Sequence, residues 1–536
     1  MLKSKYWLIP LLLIPIILTN CAKRGTITGG PKDTLAPVMT SSNPANFSKN
    51  FKGNTIKLNF DEYIKLKDAQ KQIIVSPPLK NNLVITPNGA ASKFINISFK
   101  DTLQDNTTYT INFGQSIEDN NEGNPYTAFK YVFSTGDYID SLKFKGKVTD
   151  ALSKTVDKNI SVMLYPVENF SDSTIYKKTP LYITNTLEYG SDFEIDNIKN
   201  GAYYAIALKD ENKNNKFDPK VDKIGFYPKI INIPNDTLFT LDLFKEEVEF
   251  EPKKIVQQSQ NKLTLGLNTP NYENLKVEAQ LNNKSISSRI TKFADKDSIM
   301  LWLPKLDFKD DSLQVVISKD SKDFNQKLKL KNFKSTDTLT IGLQKSVGID
   351  FRESFKIKIN TPIENVDINK ITLINKDSTK VDFNIEVKKL ENLIDFNFKT
   401  NEEEQYHLTL LPGAITDFYG QKNDTLKTIL STKKYSDYGN LKLIINNAKS
   451  KNYIVQLLDD KEVVKYEMVS IENTNEYYFT NITPYKYNVR IIYDVDRNKK
   501  WTPGNYLKKR LPEEVIYFPE LIDVRANWEV NQPIDL

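Results

Sequence analysis

Two loops in the chain place oxygen-bearing side chains at alternate positions, a spacing suited to binding a metal ion. These side chains are Asp210, Asn212, Asn214 and Asp218 in the first loop, and Asp494, Asp496 and Asn498 in the second. Oxygen ligands at positions 1, 3 and 5 of a tight loop converge on one point, and calcium prefers about six to eight such ligands. The spacing therefore predicts a structural calcium ion in each loop.

Both loops also depart from the complete pattern of a calcium loop. Position 6, where such loops turn on a glycine, is Asn215 or Lys499, and position 12 is not a bidentate glutamate. Lysines in both loops and Arg497 weaken the field that attracts a cation, and Asp222 is placed to help only in the first loop. The alternative interpretation is a turn rich in Asp and Asn, anchored to a sheet by the aromatic residue that follows.

The sequence contains few side chains of the types that catalyse reactions. His407 is the only histidine and Cys21 the only cysteine, so any histidine-based mechanism would have to use His407. His407 alternates with apolar residues along a predicted strand, so its side chain is expected on the outer face. Glycine-rich phosphate loops between a strand and a helix are absent from the sequence. We therefore predict that the protein is not an enzyme and requires no cofactor, apart from structural calcium.

The single cysteine ends a targeting signal. Lys3 and Lys5 precede an apolar run at residues 7–18, which is shorter than the ~20 residues that span a bilayer. The sequence Leu-Thr-Asn-Cys that closes the run resembles a bacterial lipoprotein signal. The resemblance implies that residues 1–20 are removed and that Cys21 carries the lipid. The alternative is an ordinary signal peptide followed by a cysteine that has no such role.

Composition points to exported β domains. The chain of 536 residues has 27 Tyr and 28 Phe, and Val, Ile, Tyr, Phe and Thr recur in alternation with polar residues. The formal charge is +6 with acidic and basic residues interspersed, so no basic stripe suggests nucleic acid. A single cysteine excludes disulfides within the chain and cysteine zinc sites.

We predict an all-β fold, a tandem array of about five Ig-like and prealbumin-like β-sandwiches. A flexible tether at 21–36 is expected before the first sandwich. The predicted modules 1 to 5 are an Ig-like domain at 37–137, a prealbumin-like sandwich at 141–247, a β-sandwich of unclear type at 248–343, a second Ig-like domain at 347–433 and a second prealbumin-like sandwich at 438–536.

Several fragments carry the resemblance of module 1 to known domains. They lie at residues 43–45, 58–62, 108–113, 118–124 and 133–136. Together they resemble the bacterial Ig-like domain of surface-layer proteins and of outer-membrane lipoproteins from Bacteroidota. In module 2, residues 193–203 have the pattern Phe-x-Ile-x-Asn-Ile-x-x-Gly-x-Tyr. This pattern resembles the prealbumin-like sandwiches of carboxypeptidase regulatory domains and collagen-adhesin B repeats.

The five modules contain an internal repeat of domain pairs. Ile415 stands in module 4 where Ile117 stands in module 1, and Asp494 stands in module 5 where Asp210 stands in module 2. Repeats of this kind are typical of modular proteins that hold or bind other molecules.

These resemblances imply a lipoprotein of the outer membrane that binds or scaffolds without catalysis. The expected partners are the membrane, through a lipid on Cys21, and other envelope proteins, as in an accessory subunit of an outer-membrane protein assembly or secretion machine. Exposed aromatic residues such as Trp501, Tyr506 and Trp528 are candidates for such contacts. The alternative is a glycan-binding or carbohydrate-processing surface lipoprotein with a cleft in module 3. The sequence leaves open which face of the outer membrane is occupied.

Overall fold

A computed structural model describes residues 32–186, 190–305, 312–333, 337–470 and 474–536. The chain divides into two compact units, Met1–Ser141 and Leu142–Leu536. The predicted all-β fold is confirmed, since the described helices are limited to two single turns and two short 3-10 segments. None of the described helices is long and apolar enough to cross a membrane. The predicted signal peptide, Cys21 and most of the tether lie outside the described residues.

The first unit contains one β-sandwich, module 1. Strands β1 to β8 are Met39–Asn43, Thr55–Leu66, Ile74–Ser76, Val84–Thr86, Ser92–Ser98, Thr108–Asn112, Ile117–Asp119 and Lys130–Ser134, with helix α1 at Ala69–Gln72. One sheet has the order β1-β2-β5-β4 with β7 also paired to β2, and the other has the order β3-β6-β8. Apolar residues alternate along β2, so Ile56, Leu58 and Phe60 are buried in the core.

Module 2 opens the second unit. Strands β9 to β16 are Leu142–Asp150, Ser161–Pro166, Tyr182–Asn185, Asp192–Ile198, Gly201–Lys209, Lys223–Phe226, Ile231–Ile233 and Phe239–Leu243, with helix α2 at Thr174–Lys177. They form a sheet β11-β10-β13-β14, with β15 also on β13, and a sheet β12-β9-β16. Strands β9 and β16 run parallel, whereas the other pairs are antiparallel.

Module 3 is a sandwich of two four-stranded sheets. Strands β17 to β24 are Pro252–Ser259, Lys262–Leu267, Lys276–Leu281, Lys284–Ile286, Arg289–Lys292, Ser298–Trp302, Ser312–Lys319 and Lys322–Lys329. The sheet orders are β17-β18-β22-β21 and β20-β19-β23-β24.

Module 4 repeats most of the strand order of module 1. Strands β25 to β33 are Ser346–Gly348, Phe355–Lys358, Ile363–Val366, Ile371–Ile374, Phe383–Lys388, Leu393–Phe398, Gln405–Leu410, Ile415–Asp417 and Leu426–Ser431, with a 3-10 segment at Ile368–Lys370. The sheets are β25-β33-β31-β28, β26-β30-β29 and β27-β32. Strands β28, β31 and β33 thus pair as β3, β6 and β8 pair in module 1.

Module 5 repeats the topology of module 2 strand for strand. After a 3-10 segment at Tyr435–Asp437, strands β34 to β41 are Gly439–Asn446, Tyr453–Leu458, Val464–Val469, Glu476–Ile482, Tyr485–Tyr493, Val515–Tyr517, Ile522–Val524 and Glu529–Asp535. The sheets are β37-β34-β41 and β36-β35-β38-β39, with β40 also on β38. The pair β34 and β41 is parallel, as β9 and β16 are in module 2.

Separate apolar clusters fill these sandwiches. The described residues contain five of them, and the buried members of each come from one predicted module. The half-buried side chains of Leu339, Ile341 and Leu343, which the predicted ranges place at the end of module 3, pack against the cluster of module 4. The module boundaries themselves stay a prediction.

Candidate functional site

The second of the two Asp-rich loops brings three carboxylates together. Asp494 follows directly after β38, Asp496 lies two residues further on, and Glu513 comes from the other end of the loop. One carboxylate oxygen of each lies within 4.8 Å of those of the other two, the one such cluster of potential ligands found in the described part of the chain. This arrangement offers charged oxygens of the kind that calcium prefers.

Glu513 organises the loop, although the spacing of the sequence did not indicate it. One of its oxygens accepts a hydrogen bond of 2.6 Å from the amide of Val495, and the other accepts one of 2.9 Å from the amide of Thr502. Position 12 of the loop, where a calcium loop has its closing glutamate, is Asn505. The carboxylate that closes this loop is Glu513, which lies further along the chain.

Asp222 has the same role in the first loop. Its two oxygens accept hydrogen bonds from the amides of Glu211 at 2.9 Å and Asp218 at 2.8 Å. Those two donors are equivalent, through the internal repeat, to the donors that Glu513 binds. The sequence repeat did not indicate Glu513, because its constant shift of 284 residues places Tyr506, and not an acidic residue, opposite Asp222.

The first loop gathers its carboxylates less closely than the second. One oxygen of Asp210 accepts a hydrogen bond of 2.7 Å from the amide of Asn215, and its other oxygen is buried without a hydrogen-bond partner. Burial, followed by the negative charges of Asp210 and Asp218, raises the pKa of Asp222. Asp210 and Asp218 therefore act on the ionisation of Asp222, but the three carboxylates do not meet at the short mutual distances of the second loop.

The predicted asparagine ligands mostly serve the turns. The side-chain oxygen of Asn214 accepts a hydrogen bond of 2.8 Å from the amide of Lys216, and that of Asn498 accepts one of 2.7 Å from the amide of Lys500. Asn212 is exposed. These two bonds support the alternative interpretation of the loops as Asx turns, because the oxygens that were expected to face a cation bind backbone amides instead.

The two loops share a backbone conformation that explains their unusual sixth position. Lys213 and Asn215 have φ of 55°, and their equivalents Arg497 and Lys499 have φ of 60° and 63°. This left-handed conformation is the one that glycine adopts without strain at position 6 of calcium loops. Asn215 and Lys499 therefore adopt at position 6 the backbone conformation that glycine has in calcium loops.

The remaining candidate residues, one histidine and two aromatic residues, differ in how exposed their side chains are. His407 is half-buried on β31, a central strand of its sheet, and it faces away from the core formed by Tyr406 and Leu408. Trp528 is 57% exposed, whereas Tyr506 is 2% exposed. The expectation that Tyr506 is exposed is wrong, because its ring packs against Phe226 and Tyr176 of module 2.

A small cavity lies beside module 3, the module in which the alternative function predicted a cleft. It has a volume of about 240 Å³ and is lined by apolar and charged side chains, among them Phe250, Phe324, Glu249, Asp320 and Lys322. The two phenylalanine rings meet edge to face with centroids 5.8 Å apart.

Two of the acidic residues that line this cavity, Glu249 and Asp320, are ion-paired. Lys322 lies 2.9 Å from Glu249, and Lys319 lies 3.2 Å from Asp320. The hydrogen bonds from these lysines lower the pKa of both carboxyl groups. Glycoside hydrolysis needs a carboxylic acid of raised pKa as proton donor, so these two groups are poorly suited to it.

Comparison with known proteins identifies the first module. A family model described as a bacterial Ig-like domain matches residues 33–135, which confirms the prediction for this part of the chain. None of the curated proteins matches the chain.

Three solved structures illustrate the similarity to tandem sandwiches. Domains from titin have 14% identity, cover 46% of this chain and 91% of theirs, and give a TM-score of 0.14. Domains 1–6 of the surface layer protein SbsC have 10% identity, cover 86% of this chain and 64% of theirs, and give a TM-score of 0.15. The SGBP-B protein of a Bacteroides ovatus mixed-linkage glucan utilization locus, in complex with a mixed-linkage heptasaccharide, has 10% identity, covers 72% of this chain and 94% of its own, and gives a TM-score of 0.17.

Scores this low carry no argument about activity or about the arrangement of the modules. The family match is confined to one module, and it agrees with the two-sheet sandwich found there. Residues 33–135 of this chain match the family model of a bacterial Ig-like domain.

Proposed function

We propose that the protein is a non-catalytic binding or scaffold component of the cell envelope, and an accessory subunit of an outer-membrane protein assembly or secretion machine. The observation that carries the scaffold role is the way the modules of the second unit are joined. Their joints contain directional hydrogen bonds and ion pairs, which hold neighbouring sandwiches in one orientation. A component that positions other proteins needs such fixed joints.

The joint between modules 3 and 4 shows this fixation. The guanidinium of Arg289 donates hydrogen bonds of 3.0 and 2.9 Å to the two carboxylate oxygens of Glu364. The hydroxyl of Tyr419 donates one of 3.2 Å to the carbonyl of Leu303. Two-point contact between a guanidinium and a carboxylate defines an orientation as well as a distance.

Anchoring follows from the sequence and belongs to the same proposal. A lipid on Cys21 and a tether at 21–36 would hold the Ig-like domain at the outer membrane, on a face that this proposal leaves open. The family match to a bacterial Ig-like domain supports an exported protein. Replacement of Cys21 by serine is expected to release the protein from the membrane fraction.

Co-purification after gentle detergent extraction tests the proposal. A chain carrying an affinity tag at its end should bring down defined envelope proteins in constant ratio. Arg289→Ala should weaken their recovery, because it removes the contact of Arg289 with Glu364. Recovery of the wild-type chain alone and monomeric would remove the support for a scaffold.

Glycan binding at the cavity beside module 3 is the second candidate function. The rings of Phe250 and Phe324 offer apolar surface to a sugar, and the charged groups around them offer hydrogen bonds. The lowered pKa of both Glu249 and Asp320 favours binding over hydrolysis. A glycan array should then give a signal that Phe324→Ala abolishes, and an array without signal would eliminate this candidate.

We also propose that the second loop holds a structural calcium ion. The cluster of Asp494, Asp496 and Glu513 supports this assignment, and the looser first loop is a weaker site. Such an ion would stiffen the end of module 5 and would have no catalytic role.

A further inference from the structure

The two prealbumin-like modules differ in the segment that closes the Asp-rich loop. In module 2, residues 219–221 connect Asp218 to the closing carboxylate of Asp222. In module 5, residues 503–512 connect the equivalent Thr502 to Glu513. The sheets of the two modules have the same order, so the longer segment is not needed to build the sandwich. We call residues 503–512 the docking segment.

The centre of the docking segment is buried against module 2. Tyr506 is 2% exposed, and the centroid of its ring lies 5.5 Å from that of Phe226 and 6.4 Å from that of Tyr176, edge to face in both cases. Its amide donates a hydrogen bond to the carboxylate of Glu246. A large aromatic side chain buried at the centre of an interface is the usual form of an energetic anchor.

Two neighbours of Tyr506 in the docking segment, Gly504 and Lys509, also contact module 2. Gly504 lies so close to Phe244 that an added Cβ would stand 2.5 Å from the ring. The ammonium of Lys509 donates a hydrogen bond of 2.6 Å to Asp172 and lies 3.7 Å from the centroid of the Tyr506 ring. By contrast, Leu507 is 58% exposed and faces away from the contact.

A second contact lies outside the docking segment. The carbonyl of Leu152 accepts hydrogen bonds from the hydroxyl of Tyr517 at 2.8 Å and from the guanidinium of Arg490 at 3.2 Å. The amide of Lys154 donates one of 3.1 Å to Glu462. Modules 2 and 5 are thus held at two places, although two other modules separate them in the chain.

We propose that the docking segment is a dedicated interdomain element of module 5, whose binding partner is module 2. Shape at Gly504, apolar burial at Tyr506 and the ion pair at Lys509 together give one orientation of the two modules. The second contact consists of a few hydrogen bonds, three of them to backbone atoms of Leu152 and Lys154. Loss of the docking segment therefore frees module 2 to move while module 5 keeps its fold.

Distance measurement between spin labels tests this proposal on the full chain. Cysteines replace the exposed Lys147 of module 2 and Asn531 of module 5 in a chain that also carries Cys21→Ser. The unaltered docking segment should give one narrow distance distribution. Replacement of residues 503–512 by the short segment 219–221 of the other repeat, and separately Tyr506→Ala, should each lose that narrow distribution.

Two controls separate loss of docking from loss of folding. Leu507→Ala changes an exposed side chain of the same segment and should keep the narrow distribution. Each variant is also checked for intact module 5 by circular dichroism and by its near-ultraviolet tryptophan signal, to which Trp501 and Trp528 contribute. A folded segment-swap variant that keeps the narrow distribution would overturn the proposal.

Discussion

The amide of Tyr506 in module 5 donates a hydrogen bond to the carboxylate of Glu246 at the end of module 2. Glu246 is 7% exposed, so this bond joins two modules through a buried acidic group. Buried charges are costly unless they are compensated, and a single amide compensates a carboxylate incompletely. The joint between the two modules therefore includes a group whose ionisation state matters.

The first prediction concerns the pH dependence of this joint. Burial raises the pKa of Glu246, and the amide of Tyr506 and the charge of Lys245 offset this only in part. Because the folded chain binds this proton more tightly than the unfolded chain, Glu246 makes stability fall as pH rises above the unfolded pKa. Glu246→Gln keeps an acceptor without a charge. It should equal the wild type near pH 4 and exceed it at pH 7 in urea unfolding.

Glu247→Gln is the matched control for this prediction, since Glu247 is the exposed neighbour. The free energy of unfolding of Glu247→Gln should differ from that of the wild type by the same amount at pH 4 and at pH 7. Equal pH profiles for Glu246→Gln and the wild type would contradict a raised pKa at Glu246.

The second prediction concerns backbone strain in the second Asp-rich loop. Lys499 is exposed and has φ of 63°, a conformation that costs roughly 1–2 kcal/mol for a residue with a side chain. Lys499→Gly relieves this strain but adds freedom to the unfolded chain, so a net gain of about 0.5–1 kcal/mol is expected. Chemical denaturation followed by tryptophan fluorescence measures it. Lys500→Gly, one residue on and without positive φ, should bring no gain.

The third prediction concerns the acid stability of the Ig-like domain. Burial of Asp119 acts to raise its pKa, but hydrogen bonds from the amides of Glu122, Asn124, Gly123 and Asn121 outweigh this and lower it to about 2. Asp119 therefore contributes stability above the unfolded pKa, which is near 4, and this contribution is lost as pH falls toward 2.

A fragment of residues 32–141 suits this measurement, because it contains the described part of the first compact unit. Asp119→Asn should lower its unfolding midpoint in urea at pH 6 and make the midpoint less sensitive to pH between 4 and 2. Asp105→Asn changes an exposed aspartate of the same unit and should leave the pH profile of the wild type in place. Parallel profiles for Asp119→Asn and the wild type would show that these amide bonds do not stabilise the ionised form.

Local patterns predicted the sandwiches well because they depend on residues near one another in the chain. The alternation of Ile56, Leu58 and Phe60 identified the face of β2 that is buried, and the structure confirms it. The repeated Asp210 and Asp494 mark loops with the same left-handed positions. Such features follow from the period of a strand and from turn chemistry, which short segments of sequence contain.

Contacts between residues that are far apart in the sequence could not be predicted from local patterns. Glu513 reaches its loop only after the docking segment, so a fixed spacing from Asp494 could not locate it. Tyr506 is an aromatic residue in a polar stretch, which resembles an exposed contact residue. Its burial depends on Phe226 and Tyr176 of a module more than two hundred residues earlier.

The last prediction tests calcium in the second loop. A ligand that binds only the folded state stabilises it by about 2.7 kcal/mol at a concentration of 100 times its Kd. Millimolar calcium should therefore raise the Tm of the wild-type chain, and Asp496→Asn should reduce that rise because it removes a charge from the cluster with Asp494 and Glu513. Asn212→Ala alters the equivalent position of the first loop and should keep the rise. If calcium leaves the Tm of the wild type unchanged, the loops are Asx turns closed by Asp222 and Glu513, which the amide bonds to these carboxylates already hold in shape.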